Sequence, residues 1–388
     1  MDTQTCAQLR EAVYQYSTLT ASEQIDTVTE VITSGRLGSI AGHTVREFEE
    51  QVSAHMGRTG AVATASATAA LELLLHCLPV REPRERVVVP AVGWITIPTA
   101  VARTGRIPVV APVTADLTPH WEQIEPLLDE RTTAVVLAHL RGRPAPDTPR
   151  IADELARRGV MLIEDCAQAW GATVDGVPVG RHGQAALFST QTYKLIATGE
   201  GGIVAADDSN LLTTLRATGG DTRVTLPEGF HGRGNARMSE ITAASALPQL
   251  AYLGRLRQLL RPLQTSVIDR LSSVAHARGV LPVTDATQAN LGAEASNGSL
   301  VGVWLTSGEQ AERVADRLFQ LGIRHWWPGP GDPHLAENWN NATGSRGDVD
   351  MTRYLDIQIP VLDESRHPGF VDLIHSALTD DHPAGGRA

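Results

Sequence analysis

The sequence has 388 residues, of which 42% are hydrophobic and 20% charged, and a formal net charge of −11; these values predict a soluble globular protein with two domains or one large domain and a lobe. The acidic balance argues against a nucleic-acid partner, and no apolar run is long enough to predict a membrane span. The opening segment lacks the apolar core of a secretory signal, and the three cysteines (Cys6, Cys77 and Cys166) show no paired spacing, so we expect a reduced, cytoplasmic protein.

Between residues 60 and 210, short β-branched runs alternate with segments of helical period. Near-continuous apolar strands separated by helices indicate a mostly parallel sheet covered on both faces, so we predict an α/β fold. In such sheets, ligands bind beyond the strand ends. The predicted strands are Val87–Pro90, Ile107–Val113, Thr133–Leu140, Val160–Glu164, Ala185–Ser189 and Gly202–Ala206, and the predicted helices are Thr68–Cys77, Ile95–Arg103, Trp121–Leu128 and Pro149–Arg158.

After residue 210, the sequence pattern predicts a long loop followed by a smaller lobe. The loop is rich in glycine and arginine, and long loops in compact domains tend to be functional. We predict a large domain with an N-terminal arm over residues 1–250, and a smaller C-terminal α+β domain over residues 251–388 with a disordered tail after residue 380. The elements expected there are the loop at 219–236, a helix from Ser239 to about Arg278, a strand at Leu300–Leu305 and a helix at Glu309–Leu321.

The chain contains a single lysine, Lys194, beside 32 arginines. Arginine can replace lysine where only a positive charge is needed, but a guanidinium keeps its proton and cannot act as a nucleophilic amine. In a chain that uses arginine almost everywhere else, a retained lysine is a candidate for covalent chemistry. The alternative is that the single lysine is there by chance. Its context, FSTQTYKLIATGEGG, places it after a strand, where an amine facing a cleft can form an imine. The alternative is a surface lysine beside an ordinary turn.

Three further segments supply groups that suit a cofactor with a pyridine ring and a phosphate. The strand VMLIED ends in Asp165, a carboxylate that could keep a ring nitrogen protonated, and Gln168 follows three residues later. Small residues before a strong helix leave the backbone N–H groups of Ala67 and Thr68 free to hold a phosphate. Trp94 follows a buried strand and could stack on the ring. Each segment alone also fits an ordinary role as a cap, an unliganded helix or core packing.

The order and spacing of these segments resemble the sugar aminotransferase family named for DegT and StrS, within the fold-type-I pyridoxal-phosphate enzymes. The resemblance runs from about Gly35 to Leu250, well over half of the chain. The motifs that carry it are GRLGSIAGHTVREFEEQ (residues 35–51), Ser66 to Leu71, Glu164 to Gln168, the run from Gly171 to Ser189, Lys194 with Glu200-Gly201-Gly202, and GRGNARMSEITAA (residues 232–244).

This resemblance implies a fold-type-I pyridoxal-phosphate-dependent transferase and gives a role to each matching position. Lys194 would form the Schiff base with pyridoxal phosphate, and Asp165 would hold the ring nitrogen. The other implied roles are Gln168 near the phenolic oxygen, Trp94 on the ring face, Ser189 with the backbone of Ala67 and Thr68 on the phosphate, and Asn235 on the phosphate of the partner subunit. The match at Asn235 implies a homodimer with sites at its interface. No metal is expected.

The chain departs from the family pattern at three places. Ala67 stands where the family has glycine, which removes positive φ or leaves less room for the phosphate. Gln184 stands where the family usually has aspartate. Residues 324–334, RHWWPGPGDPH, are unlike the family's Tyr-rich substrate segment, and we interpret this difference as a changed substrate pocket. The candidates for lining that pocket are His231, Arg233, Arg237, His325 and Trp326.

The resemblance implies transamination from glutamate or glutamine to a keto-sugar or keto-cyclitol, in the biosynthesis of a natural product such as an antibiotic. Gln191, three residues before the lysine, is more typical of the cyclitol and aminobenzoate-synthase branches. Two alternatives stay open. One is a pyridoxal-phosphate enzyme of the same family that runs aromatisation, elimination or carbon–carbon bond formation. The other is a non-catalytic relative, which would lack the lysine or the carboxylate.

Overall fold

The structure of the protein is a computed structural model that describes residues 15–78, 85–226, 228, 232–278, 281–282, 295–329, 331–339, 343–344, 347 and 349–379. The tail predicted to be disordered, most of the predicted N-terminal arm and His231 lie outside these residues. In this part of the chain, no helix is both long and apolar enough to cross a membrane.

Each predicted helix is present, whereas the helices at Ala21–Ser34, Ser209–Thr218 and His367–Thr379 were not predicted. The segment predicted as one helix over Trp121–Leu128 is a short α-helix followed by a 3₁₀ turn, because Pro126 there has no N–H to donate. The α-helices are α1 (Gln15–Thr18), α2 (Ala21–Ser34), α3 (Thr44–Met56), α4 (Ala67–Cys77), α5 (Thr96–Arg103), α6 (Trp121–Ile124), α7 (Thr148–Arg158), α8 (Ser209–Thr218), α9 (Glu240–Arg278), α10 (Gly308–Gln320) and α11 (His367–Thr379), with 3₁₀ turns at Glu125–Leu127, Ala336–Asn338, Met351–Arg353 and Glu364–Arg366.

The strands fall into a large sheet, a smaller sheet and a two-stranded hairpin. The strand predicted over Ile107–Val113 ends at Ala111, because Pro112 cannot donate to the ladder. The strands are β1 (Gly60–Thr64), β2 (Arg86–Pro90), β3 (Ile107–Ala111), β4 (Thr132–Ala138), β5 (Met161–Asp165), β6 (Thr173–Val174), β7 (Val177–Pro178), β8 (Ala185–Ser189), β9 (Gly202–Ala206), β10 (Leu281–Pro282), β11 (Leu300–Trp304), β12 (His325–Trp326), β13 (Thr343–Gly344) and β14 (Tyr354–Gln358).

The large sheet has the order β1-β9-β8-β5-β4-β2-β3-β13. Strands β8, β5, β4, β2, β3 and β13 pair in parallel, whereas β9 is antiparallel to both of its neighbours. Strands β4 and β8 are buried along their whole length, as expected for strands covered on both faces. The predicted α/β fold with a mostly parallel sheet is therefore confirmed. Strand β1 was not predicted, because its sequence GAVAT lacks a β-branched run.

The C-terminal part of the chain forms the antiparallel sheet β10-β11-β14-β12. The 39-residue helix α9 leads into it and runs through residue 250, where the domain boundary was predicted. One C-terminal segment returns to the large sheet: β13 pairs with β3, and Ala336 N–H donates to the Ala91 carbonyl. The C-terminal residues therefore also lie beside the strand ends of the large sheet.

Candidate active site

A cavity of about 660 Å³ lies at the carboxyl ends of the large-sheet strands, beside the C-terminal sheet. Such an edge is where open α/β sheets bind ligands. Asn235 does not line this cavity and is exposed. The predicted site residues that the structure does bring together on its wall are Lys194, Asp165, Gln168, Ser189, Trp94, Ala67 and Thr68.

Lys194 lies in an irregular turn after β8, where its backbone N–H donates to the Gln191 carbonyl at 2.9 Å. Burial of the ammonium group lowers the pKa of Lys194 to about 8; the Asp165 carboxylate opposes this shift, and the charges of Arg141 and Arg324 add to it. A substantial fraction of the side chain is therefore neutral near pH 8. A neutral amine is the form that attacks a carbonyl carbon.

Asp165 is the last residue of β5, which ends between β4 and β8. Its Oδ1 accepts the backbone N–H of Ala167 at 2.9 Å. Burial raises the pKa of the Asp165 carboxyl, while that N–H group and the charge of Lys194 oppose the rise. A buried carboxylate is stabilised by a charged, hydrogen-bonding partner. The protonated pyridine nitrogen of pyridoxal phosphate is such a partner, so this residue fits the cofactor.

The start of α4 offers a cradle for a phosphate. The Ser66 side chain accepts the N–H of Ala69, and the N–H groups of Ala67 and Thr68 belong to the first turn, which has no acceptors within the helix. A Cβ atom on Gly202 would lie 2.3 Å from the carbonyl carbon of Ser66 and 2.4 Å from the nitrogen of Ala67. Only glycine therefore lets β9 pack this closely behind the cradle. Ala67 has ordinary negative φ, so alanine is accommodated without strain.

One hydroxyl side chain, Ser189, and one amide side chain, Gln168, lie on the same wall of the cavity. Ser189 is buried at the end of β8, and its Oγ accepts the backbone N–H of Gln191 at 3.2 Å, which leaves its O–H free to donate. The Oε1 of Gln168 accepts the backbone N–H of Arg141 at 3.0 Å, so its amide Nε2 remains a donor toward the cavity. Gln184 contributes nothing here; its Oε1 accepts the Leu162 backbone N–H at 2.7 Å and ties β5 to the next loop.

The segment 324–334 supplies the opposite wall, which agrees with its interpretation as a pocket segment. The His334 ring lies 4.7 Å from the Trp94 ring and 4.9 Å from the Trp326 ring, centroid to centroid. Asp332 accepts a hydrogen bond from Trp326 Nε1 and lies 2.8 Å from His334 Nδ1. This wall is therefore aromatic and held rigidly.

His334 and Arg141 also line the cavity, although neither was predicted individually as a site residue. His334 lies in a segment that was flagged as a whole, whereas an arginine after a strand is ordinarily a solvated loop residue, so Arg141 gave no signal. Of the pocket candidates, His325 and Trp326 line the cavity and Arg233 and Arg237 do not. The arginine pair instead holds the loop: Arg233 donates to three carbonyls of residues 217–224, and Arg237 donates to that of Gly220.

A buried carboxylate behind the site supports the end of β5. Glu164 Oε1 accepts the N–H groups of His182 and Gly183 at 2.8 and 2.6 Å, and Oε2 accepts that of Gly180 at 2.7 Å. The Nε2 of His139 lies 2.9 Å from the same Oε2. Burial alone would raise the pKa of Glu164, but the hydrogen bonds from His139 and from the backbone N–H groups lower it. Glu164 therefore holds its neighbour Asp165 in place.

Residues 19–290 match the model of the DegT/DnrJ/EryC1/StrS aminotransferase family. The chain belongs to this family. It is 32% identical over 278 residues to an L-glutamine:scyllo-inosose aminotransferase from Streptomyces griseus, a match that covers 66% of this chain and 65% of the relative. It is 38% identical over 202 residues to an L-glutamine:2-deoxy-scyllo-inosose aminotransferase from Streptomyces fradiae, covering 50% of this chain and 47% of that relative.

A solved structure extends the similarity to nearly the whole chain. The aminotransferase TlmJ from Streptoalloteichus hindustanus superimposes with a TM-score of 0.78 at 25% identity, covering 92% of this chain and 96% of that one. The curated relatives above, by contrast, are matched over about half to two thirds of their length. Together these findings confirm the predicted family, the fold-type-I fold and pyridoxal phosphate as the cofactor.

Proposed function

We propose that this protein is an aminotransferase that moves an amino group from L-glutamine or L-glutamate to the ketone of a cyclitol or sugar. The observation that carries the proposal is the placement of Lys194, Asp165 and the N-terminus of α4 around one cavity. A cyclitol is favoured over a nucleotide-linked sugar by Gln191 and by the two Streptomyces relatives, whose names specify inosose acceptors. Natural-product biosynthesis is the expected setting.

Different residues of the cavity would have different roles in such a reaction. Ser189 and the N–H groups of Ala67 and Thr68 would bind the phosphate of the cofactor, and Asp165 would keep its ring nitrogen protonated. Bound pyridoxal phosphate supplies an electron sink for the carbon that bears the transferred nitrogen. The Nζ of Lys194 would take a proton from that carbon of the donor and would deliver one to the matching carbon of the acceptor, which requires an amine that titrates near working pH.

The test begins with the colour of the purified protein. Reconstituted protein should absorb in the visible, and borohydride should attach the cofactor to Lys194, as measured by mass spectrometry of the peptide. The Lys194→Arg variant, which keeps the positive charge, should show no attachment. Addition of L-glutamine or L-glutamate should bleach the visible absorbance of the reconstituted protein, and a keto-cyclitol such as scyllo-inosose should restore it.

Two outcomes would contradict the proposal. Protein that cannot be reconstituted with the cofactor would exclude both the proposed activity and other pyridoxal-phosphate chemistry. Cofactor attachment at Lys194 without bleaching by any amino acid would instead favour aromatisation, elimination or carbon–carbon bond formation by the same site.

We also propose that the protein is a homodimer in the cytoplasm. Asn235 is exposed and away from the cavity of its own chain, as a residue that serves a partner's site would be. Three large apolar side chains of residues 25–37 are also exposed: Ile25 by 66%, Ile32 by 58% and Leu37 by 47%. Covering exposed apolar side chains in an interface removes them from water, which favours association. Sedimentation of the holoenzyme should give twice the 41.5 kDa chain mass, and Asn235→Ala should weaken cofactor binding.

A further inference from the structure

The loop between β8 and β9 (residues 190–201), which carries Lys194, is closed at its stem by hydrogen bonds within the loop. Thr198 N–H donates to the Thr190 carbonyl at 2.7 Å, and the hydroxyl oxygens of these two residues also lie 2.7 Å apart. Lys194 lies beyond this stem, in the tip of the loop (residues 193–197). The bonds of the stem therefore do not by themselves fix the position of the lysine.

The end of the loop tip is held by a side chain of α9, that of Gln249. Its Oε1 accepts the Ala197 N–H at 2.8 Å, and its Nε2 donates to the Ala197 carbonyl at 2.9 Å. The amide thus pairs with both main-chain groups of one residue, as a residue of a neighbouring antiparallel strand would. Among the described residues, Ala197 makes no other hydrogen bond. The position of Ala197, three residues after Lys194, therefore depends on one side chain.

The helix presents Gln249 in a fixed orientation. Pro248 has no N–H to donate, so the Ala244 carbonyl lacks its helical partner. The Thr27 hydroxyl of α2 donates to that carbonyl at 2.7 Å and ties the two helices together at this point. The Nε2 of Gln249 also donates to the Ser245 carbonyl at 2.9 Å, and the side chain is 4% exposed. A flipped amide would turn its NH₂ group toward the Ala197 N–H, so only one orientation satisfies these partners.

The orientation of the loop tip decides where the Lys194 amine lies. Lys194 lines the cavity, where the charges of Asp165, Arg141 and Arg324 act on it, whereas the side chains of residues 195–196 are buried in the hydrophobic core. A tip that could turn would move the amine relative to the cavity wall. A displacement of about 1 Å at a reacting group can lower a rate by about a hundredfold. The support of the tip is therefore a determinant of the lysine's chemistry.

We propose that Gln249 is a positioning residue for Lys194: its amide sets the orientation of the loop tip and so holds the amine where it reacts with the cofactor and moves a proton. Gln249 does not line the cavity and touches no reacting atom, so it acts only through the main chain of Ala197. The assignment deepens the proposed aminotransferase function and rests on it, because that function needs the amine at one fixed place throughout the transfer.

The first test uses the apoprotein and needs no catalysis. Because Lys194 is the only lysine, trace labelling with acetic anhydride at a series of pH values, read by mass spectrometry of its peptide, reports the pKa of this amine alone. The wild type should give a pKa of about 8. Gln249→Met, which has a similar length but cannot pair with Ala197, should raise this pKa to about 9 or higher, toward the usual lysine value, since water then reaches the ammonium group.

The matched control is Gln264→Met on the same helix. Gln264 is 3% exposed, and its Nε2 donates to the Ser296 hydroxyl at 3.0 Å and to the Leu300 carbonyl at 2.8 Å. Both substitutions remove buried hydrogen bonds and should lower the urea midpoint to a similar extent. Only Gln249→Met should change the pKa of Lys194. If Gln249→Met does not fold, Gln249→Asn, whose amide is one carbon short of Ala197, replaces it and should shift the pKa in the same direction.

The second test measures bleaching of the holoenzyme by L-glutamine. In Gln249→Met, the rate constant at saturating L-glutamine should fall by about tenfold to a hundredfold. The half-saturating concentration of L-glutamine, and the affinity for pyridoxamine phosphate, which has no aldehyde for Lys194 to attack, should stay within about twofold of the wild type. Gln264→Met should keep all three values.

Two results would overturn the assignment of Gln249. One is a pKa of Lys194 and a bleaching rate in Gln249→Met that equal those of the wild type. The other is a change of the same size in Gln249→Met and Gln264→Met, which would show a general loss of structure. If L-glutamine bleaches no form of the protein while the pKa of Lys194 still depends on Gln249, the aminotransferase proposal fails and the positioning role stands.

Discussion

Replacing Glu164 with glutamine should weaken the fold far more than the same change on the surface. The carboxylate is completely buried, and it accepts three backbone N–H groups at 2.6–2.8 Å in addition to its contact with His139. The Nδ1 of His139 accepts the backbone N–H of Ala145 at 2.9 Å, so the ring proton is on Nε2 and points at Glu164. All partners of the carboxylate are therefore donors.

The size of the effect follows from this set of donors. In its better orientation, the glutamine Oε1 still accepts the backbone N–H groups of His182 and Gly183. Its NH₂ group then faces Gly180 N–H and His139 Nε2–H, which are donors and lose their acceptor. Each buried donor left without an acceptor costs about 1–3 kcal/mol. We therefore expect Glu164→Gln to lower the free energy of unfolding by about 4 kcal/mol, because two buried donors lose their acceptor.

The free energy of unfolding would be measured by urea denaturation followed by far-UV circular dichroism, at matched protein and cofactor concentrations. Glu154→Gln is the control, because that carboxylate is on the surface of α7, paired with Arg157 and Arg158, and its loss should leave the urea midpoint unchanged. Equal midpoints for the two variants would refute the reasoning.

The same carboxylate should give the wild type an acid-side loss of stability. Although burial opposes the shift, the pKa of Glu164 is lowered in the folded protein by its hydrogen bonds from His139 and from the backbone N–H groups of Gly183 and Gly180. The unfolded state therefore binds a proton first as the pH falls. This contribution to stability is complete above the usual glutamate pKa and is lost as the pH drops through the lower folded value. Glu164→Gln should lack this part of the pH dependence.

Three other changes test the cofactor site. Asp165→Asn should still bind pyridoxal phosphate but slow donor bleaching by about a hundredfold, because a charge-assisted hydrogen bond is lost; bleaching at the wild-type rate would show that Asp165 is not the ring partner. Gly202→Ala should weaken cofactor affinity by at least about tenfold in an absorbance titration, whereas Gly254→Ala, whose Cβ has no neighbour within 4 Å, should not. The rate of cofactor attachment to apoprotein should rise with pH and level off above about 8, the pKa of Lys194; a rise continuing to the usual lysine range would contradict its burial.

The sequence alone predicted six of the eight strands of the large sheet and seven residues that line the cavity. Strand and helix periodicity is a local property, and a buried parallel strand such as β4 has few other interpretations. The roles proposed for Lys194 and Asp165 also came from the sequence, because an imine needs an amine and a ring nitrogen needs a carboxylate, and both residues lie at strand ends that meet.

Tertiary structure alone decided which other side chains reach the cavity. Arg141 and Arg324 are separated by 183 positions in the chain, and only the folding of the C-terminal segment over the large sheet places both beside Lys194. Likewise, the sequence shows Glu164 only as one of two acidic residues at a strand end. Its carboxylate can be buried because the loop of residues 180–183 surrounds it and donates backbone N–H groups to it. Contacts between residues distant in sequence depend on three-dimensional packing, which no local pattern of residue types contains.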